Sequence, residues 1–292
     1  MSSAAQRLLS PVRERHSVEG LWPPGTVEAI VALLQREAGI EVGTDRLEFI
    51  RARLRPRLVA LGLEDASSYL KIVREDAHER HRLVEALTTH TTSFFREAMQ
   101  YGWLAEEGVE RLLGAGAGHD RPLTVWSAAC STGQEGYSAL MVLEDARAAG
   151  RLSVDARLIG TDISAPILTR AARAIYSEEE CRDLPTAVRR RYFMASRNGD
   201  GRSRLVPELR KKATWRRCSL TADATLGGIA ADVAFLRNVL IYFGADTRTQ
   251  VVDAVVRRLR PGGFLLCGQS EAGAVRHPKL AREAPSIFRK LG

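Results

Sequence analysis

Between residues 27 and 90 apolar side chains return every three or four positions, and nothing there alternates as a strand would. VEAIVALLQREAGI and TDRLEFIRARLRPRLVALGL each read as an amphipathic helix ending near a glycine, in AGI and LGL. In the second, Leu47, Ile50, Leu54, Leu58 and Leu61 fall within about a quarter-turn of one another and define a face turned to a core. The same wheel gathers Arg46, Arg53 and Arg57 on one flank. Such a row suits carboxylates or phosphates, or serves simply as a solvated face. Pro56 removes the hydrogen bond to the Ala52 carbonyl, so a kink or a late break is expected. Residues 1–20 are polar and read as a loose tail.

Beyond Glu97 the pattern changes. GAGAGHDRP reads as a flexible connection, after which strand and helix signals alternate. LTVWSAAC is a strand and YSALMVLEDARAAG a helix; ARLIGTDIS is a strand and APILTRAARAIY a helix. ADVAFLRNVLIYF reads as a central strand with its outgoing loop, TRTQVVDAVVRRLRPGG as a helix stopping at Pro-Gly-Gly, and FLLCGQSE as a further strand. Such βαβ alternation implies a largely parallel, doubly wound sheet. Between residues 177 and 220 the alternation lapses. RRRYFMASRNGDGRSRLVPEL carries Asn-Gly and Asp-Gly between short strand-like runs, the mark of a small antiparallel insert.

A chain of 292 residues with 45% apolar and 27% charged side chains can bury a full core and divide into two domains. No apolar run reaches the length of a membrane span, and the first residues lack a signal-peptide core, so a cytoplasmic setting without membrane insertion is expected. Cys130, Cys181, Cys218 and Cys267 are far apart and show no metal-ligand spacing, so no metal is expected. The net charge of +8 is unevenly placed. Residues 189–217 hold eleven basic side chains against Asp200 and Glu208, a block that attracts an acidic partner or forms a solvated face.

The chemistry gathers at strand ends. WSAACSTGQEGYS, residues 126–138, takes a strand through a small-residue loop into a helix, the arrangement that delivers a nucleotide-like ligand to a helix N-terminus. With only Gly133 and Gly136 it matches neither a dinucleotide fingerprint nor a P-loop. Asp162 closes the next strand, placed to accept hydrogen bonds from ribose hydroxyls. Asn238 and Tyr242 follow the later strand and reach the same carboxyl edge. TTHTTSFFRE, residues 88–97, with its Thr-rich turn and paired phenylalanines, does not read as a plain helix.

Six segments in order and spacing resemble the CheR-type chemotaxis receptor methyltransferases, S-adenosylmethionine-dependent protein-glutamate O-methyltransferases. They are TTHTTSFFRE, VWSAACSTGQEGYS, the TDIS strand end, IYS…RRRYFM, LRNVLIYF and LRPGG…GQSE. The resemblance implies an α/β, Rossmann-type class I methyltransferase domain at 99–292 with a small antiparallel β-subdomain inserted at 178–217. An all-α substrate-docking domain at 21–98 precedes it. By the same resemblance the cofactor, S-adenosylmethionine yielding S-adenosylhomocysteine, meets His90, Thr92, Arg96, Glu135, Asp162, Ser219, Leu220, Arg237 and Asn238. Arg96 and Tyr242 line the methyl-transfer centre.

The implied substrates are glutamate side chains of methyl-accepting chemoreceptor cytoplasmic helices, docked on Arg46, Arg53 and Arg57. A receptor C-terminal peptide is a further implied partner at the β-subdomain, and the chain is expected to be a monomer. Three features depart from the family pattern: His90 and Ser219 replace asparagines, and STGQEGYS replaces STGEEPYS, exchanging an acid at Gln134 and a proline at Gly136. Two other readings stand beside this one. A CheR-like scaffold weakened in catalysis would fit the departures. A nucleic-acid methyltransferase would fit the charge, although no basic groove with interleaved aromatics supports it and no nucleic-acid partner is expected.

Overall fold

The computed structural model describes residues 21–41, 47–88 and 91–292; Arg46 and His90 lie outside them. Two compact units divide the chain, residues up to 37 with 41–88 forming one and 38–40 with 89–292 the other.

The first unit contains α1 (Thr26–Ala38), α2 (Leu47–Ala60), α3 (Ala66–Glu75) and α4 (Ala77–Leu87). Ile50, Leu54 and Leu58 are buried along one face of α2, as their spacing requires. Pro56 does not itself end α2, which runs on to Ala60 before it stops. Ala52 and Pro56 lie on the exposed face, where water can take the freed carbonyl, while Leu54 and Leu58 hold the helix from beneath. The LGL signal does close it: Gly62 takes φ +65° and Leu63 N–H returns to the Leu58 carbonyl at 3.0 Å. Asp65 and Asp76 cap α3 and α4 through the backbone N–H groups of Ser68 and His78.

Glu79 on α4 is buried and accepts two hydrogen bonds from Arg57, at 2.6 and 2.5 Å, and one from the Tyr69 hydroxyl at 3.1 Å. The Arg57 bonds hold its carboxyl below the ordinary value against the opposing effect of burial. A carboxyl that titrates lower folded than unfolded contributes stability above its unfolded pKa, lost as pH falls through the folded one. Glu79→Gln is therefore expected to destabilise this unit by about 2 kcal/mol at neutral pH. Thermal melts of wild type and variant should converge in acid; a gap that persists there would contradict the assignment.

The second unit opens with a helical rod of α5 (Ala98–Trp103), a wider π turn over Leu104–Gly108, and α6 (Val109–Gly114). A Cβ on Gly108 would lie 2.9 Å from the Trp103 ring, which packs edge-on against Phe264 at 4.9 Å. The strands and helices then follow as β1 (Leu123–Ala128), α7 (Gln134–Ala148), β2 (Ala156–Asp162), α8 (Ala165–Arg173), β3 (Ile175–Ser177), α9 (Thr186–Tyr192), β4 (Phe193–Ala195), β5 (Arg202–Leu205), α10 (Pro207–Arg210), β6 (Ala213–Arg217), β7 (Ala231–Leu236), α11 (Ala245–Arg258), β8 (Leu259–Cys267), β9 (Leu280–Ala284) and β10 (Ile287–Lys290). Seven strands form one sheet in the order β6-β2-β1-β7-β8-β10-β9. The first five are parallel, while β10 is antiparallel to both β8 and β9. Every residue of β1 and β7 is buried, as befits central strands covered on both faces.

Three details differ from the sequence expectation. Ala174 turns left-handed at φ +50° and ends α8, so Ile175–Ser177 joins a three-stranded antiparallel sheet, β3-β5-β4, instead of extending the helix. The insert expected over 178–217 is also divided. Its hairpin pairs β4 with β5, but Ala213–Arg217 pairs in parallel with β2 as the edge of the main sheet. The basic block is thus shared between the two sheets. Lastly, α11 stops at Arg258, and Leu-Arg-Pro-Gly-Gly forms the bulged start of β8, with register slipping between Ala231↔Leu259 and Val233↔Phe264. Pro261 lacks a ladder donor and Gly262 takes φ +76°, which together favour a bulge over straight pairing.

Candidate active site

The carboxyl ends of β6, β2, β1, β7 and β8 meet along one edge of the large sheet, the side on which open α/β folds bind ligands. After β1 the chain makes a tight loop in which Ala129 and Ser131 take φ +59° and +49°, and Gly133 takes +92°. A Cβ at Gly133 would stand 2.9 Å from the Trp215 ring and 3.1 Å from Ala171, so the turn into α7 needs glycine on two counts. Asp162, buried at the end of β2, accepts the backbone N–H groups of Ser131 and Ser164, each at 3.0 Å. Its carboxylate is thereby fixed beside the loop. Cys130 beneath it is a buried thiol whose pKa burial drives well upward, which keeps it protonated and unreactive.

Arg237, leaving β7, is the hub. Its buried guanidinium donates to the Tyr101 hydroxyl at 3.2 Å, to Glu135 at 3.4 Å and to the backbone carbonyl of Arg96, and it lies 3.5 Å from the Glu97 carboxylate. Glu135, in the first turn of α7, also accepts the Ser127 hydroxyl at 2.6 Å. Burial raises its carboxyl above the ordinary range, while Arg237 and Ser127 pull it back. Phe95 and Glu97, flanking Arg96, take φ +51° and +59°. Phe95 N–H bonds the Ser138 hydroxyl on α7, and Phe94 packs edge-on against Tyr176 and Phe193. Residues 91–97 therefore form a strained strap tied across the sheet edge, a conformation other than a helix.

The site residues named from the sequence distribute as follows. Thr92 and Arg96 are half-buried, Arg96 donating to the Thr91 carbonyl at 3.2 Å. Asp162, Arg237 and Asn238 stand at the ends of strands and Glu135 in the first turn of α7, with Tyr242 half-exposed in the turn after β7. Arg237 turns inward. Ser219 and the buried Leu220 follow β6, the Ser219 hydroxyl lying 2.9 Å from that of Thr221. In the helical unit Arg53 is exposed over the Phe49 ring, whereas Arg57 is committed to Glu79 and does not stand free on the docking flank.

The departures have local partners. Gln134 accepts from the Thr132 hydroxyl and donates to Glu180, which also binds Arg170; an acid at 134 would face that carboxylate without the amide's donor. At Gly136 an added Cβ would meet Leu158 at 2.7 Å, so the Leu158 side chain fills the space a proline ring would need. Glu271, in the GQSE segment, carries no sign in the sequence of its place beside Asn238. Its buried carboxylate accepts the N–H groups of Asn238, Gly268 and Ile241 at 2.6, 3.1 and 3.2 Å.

This strand order, with an antiparallel last strand and an acid-lined edge at the ends of β1 and β2, defines a Rossmann-type α/β domain built for a nucleoside-bearing cofactor. Residues 90–286 match the model of the CheR methyltransferase SAM-binding domain, and residues 26–88 that of the CheR methyltransferase all-alpha domain. The chain belongs to the CheR methyltransferase family. Chemotaxis protein methyltransferase 2 of Pseudomonas aeruginosa is 33% identical over 240 residues, covering 82% of this chain and 83% of the relative. The chemotaxis protein methyltransferase of Escherichia coli is 35% identical over 247 residues (83% and 82%), and that of Vibrio anguillarum 34% over 263 residues (88% and 94%). The chain is an S-adenosylmethionine-dependent methyltransferase. The edge keeps polar capacity for such a group: Arg237 Nε is buried without a hydrogen-bond partner among the described residues. No helix among the described residues is long and apolar enough to cross a membrane.

Proposed function

We propose that this enzyme methylates glutamate side-chain carboxylates of chemoreceptor helices, giving methyl esters that adjust receptor signalling. The observation that carries this reading is the tie between Arg237 and the Arg96 carbonyl, which places the strap bearing Arg96 at the strand end bearing Asn238 and, in the next turn, Tyr242. S-adenosylmethionine supplies an electrophilic methyl group when bound. A glutamate with a reference pKa near 4.3 is already an anion at neutral pH, so the acceptor needs no general base. Arg96 orients a carboxylate through paired hydrogen bonds, Tyr242 donates its hydroxyl beside the reacting oxygen, and Asp162 with Glu135 seats the cofactor. Anion and sulfonium combine to neutral products, which a site closed to water favours.

Exposed Arg53 offers a cation to the carboxylate-rich substrate helix, and the basic face of the small sheet a surface for a receptor peptide. Removal of a negative charge by esterification would change repulsion within a receptor bundle. In this reading the enzyme acts as a cytoplasmic monomer. Incubation with methyl-labelled cofactor and receptor cytoplasmic fragments tests it. Label released as methanol by mild base is the expected result; base-stable label would mean a different acceptor.

A further inference from the structure

We propose that Glu271 is a positioning residue for methyl transfer, its carboxylate gripping three backbone amides so that the bend after β7 presents Asn238 and Tyr242 to the cofactor edge. The inference rests on the site reading above and deepens it. At the end of β7 the chain leaves Leu236, opposite Cys267 of β8, and turns at once through Arg237 and Asn238. Asn238 takes φ +56°, a left-handed conformation that asparagine visits more readily than most L-residues but still at a cost, so holding it in one bend calls for outside enforcement. Glu271 supplies that enforcement from the neighbouring strand end. One oxygen accepts the N–H groups of Asn238 and Gly268, and the other accepts the N–H of Ile241.

All three partners are donors, so only an acceptor at both oxygens satisfies them. Gly268 leaves room for this grip, since a Cβ there would lie 2.4 Å from Glu271 Oε2 and 3.2 Å from Asn238 Nδ2. Ile241 is 55% exposed, so its own side chain does little to fix its place; buried Leu240 and Phe243 anchor the turn, and the Glu271 bond fixes the Ile241 amide within it. Arg237 is tied inward by Glu135, Tyr101 and the Arg96 carbonyl. The residues on either side of the Arg237–Asn238 peptide are thus clamped from opposite directions, one by a cation's partners and one by a carboxylate.

Glu271→Gln tests this, because an amide aims an NH2 group at a backbone N–H where the carboxylate accepted one. The variant is expected to bind S-adenosylhomocysteine about tenfold more weakly in calorimetry and to transfer methyl groups more slowly. Glu271→Asp, which keeps both acceptor oxygens on a shorter arm, should fall between and serves if the Gln variant fails to fold. A double-mutant cycle with Asn238→Ala supplies the readout that a purely structural role would not move. If Glu271 acts through Asn238, its effect on affinity shrinks in the Asn238→Ala background. Additive losses would overturn the proposal, as would wild-type affinity in Glu271→Gln beside a defective Asn238→Ala. Normal binding by Asn238→Ala beside a defective Glu271→Gln would overturn the site reading and the proposal with it.

Discussion

Arg237→Met is expected to abolish measurable cofactor binding and to lower the melting temperature by about 10 °C. The guanidinium is 1% exposed and faces the Glu135 and Glu97 carboxylates. A methionine of similar length fills the volume but takes the shared cation from both acids and the donor from the Arg96 carbonyl, leaving Glu135 only the Ser127 hydroxyl. Breaking a buried ion pair in this way costs about 3–5 kcal/mol, and in a unit of this size each kcal/mol lowers the melting point by about 2–4 °C. The strap at residues 91–97 should loosen first, since its left-handed residues Phe95 and Glu97 depend on being tied down. Hydrogen exchange at Phe95 N–H, which bonds the Ser138 hydroxyl, reports that loosening directly. Unchanged protection and a normal titration with S-adenosylhomocysteine would remove Arg237 from the centre of the site.

The chain declares its architecture through periodicity wherever one face is buried. Ile50, Leu54 and Leu58 and the runs LTVWSA and ADVAFL became a core face and two central strands because burial alone decides those patterns. The misreadings fall where a single side chain or a backbone conformation decides. Nothing in LRPGG announces that its bulge belongs to β8, because a helix stop and a strand bulge use the same residues. The basic composition of residues 210–217 hid an edge strand, whose outer side tolerates charge. Trp103 and Gly108 form a packing pair inside a π turn, which a helical wheel cannot express. The loops after β1, β2 and β7 meet along one edge, as the strand alternation requires, but the direction each side chain takes carries no such signal. Arg237 is tied to Glu135, and Arg57 to Glu79 in the helical unit, because carboxylates on other elements, distant in sequence, claim them. Glu271 was legible as part of a motif and not as a clamp, since its partners are backbone amides that carry no sequence signal.

Glu135→Gln should separate affinity from stability. Burial is the largest influence on Glu135 and lifts its carboxyl; Arg237 and Ser127 oppose this, while Glu97 and Glu271 add to it. A carboxyl raised in the folded state contributes stability that is fully present below its unfolded pKa and is lost as pH rises through the folded one. At about pH 8 the burial of the ionised group and its pairing with Arg237 act in opposite directions, so a neutral amide of the same shape should lower the melting temperature by less than Arg237→Met, which takes the cation from two acids. The larger effect should fall on affinity. A contact between ionised Glu135 and the cofactor is lost in the variant, so binding at about pH 8 weakens by about tenfold. As pH falls and the wild-type carboxyl takes up its proton, the two proteins should approach equal affinity. Calorimetric titrations with S-adenosylhomocysteine across pH, paired with thermal melts of the ligand-free proteins, measure both effects. A variant that keeps wild-type affinity and the same pH dependence would show that Glu135 braces Arg237 and never meets the cofactor.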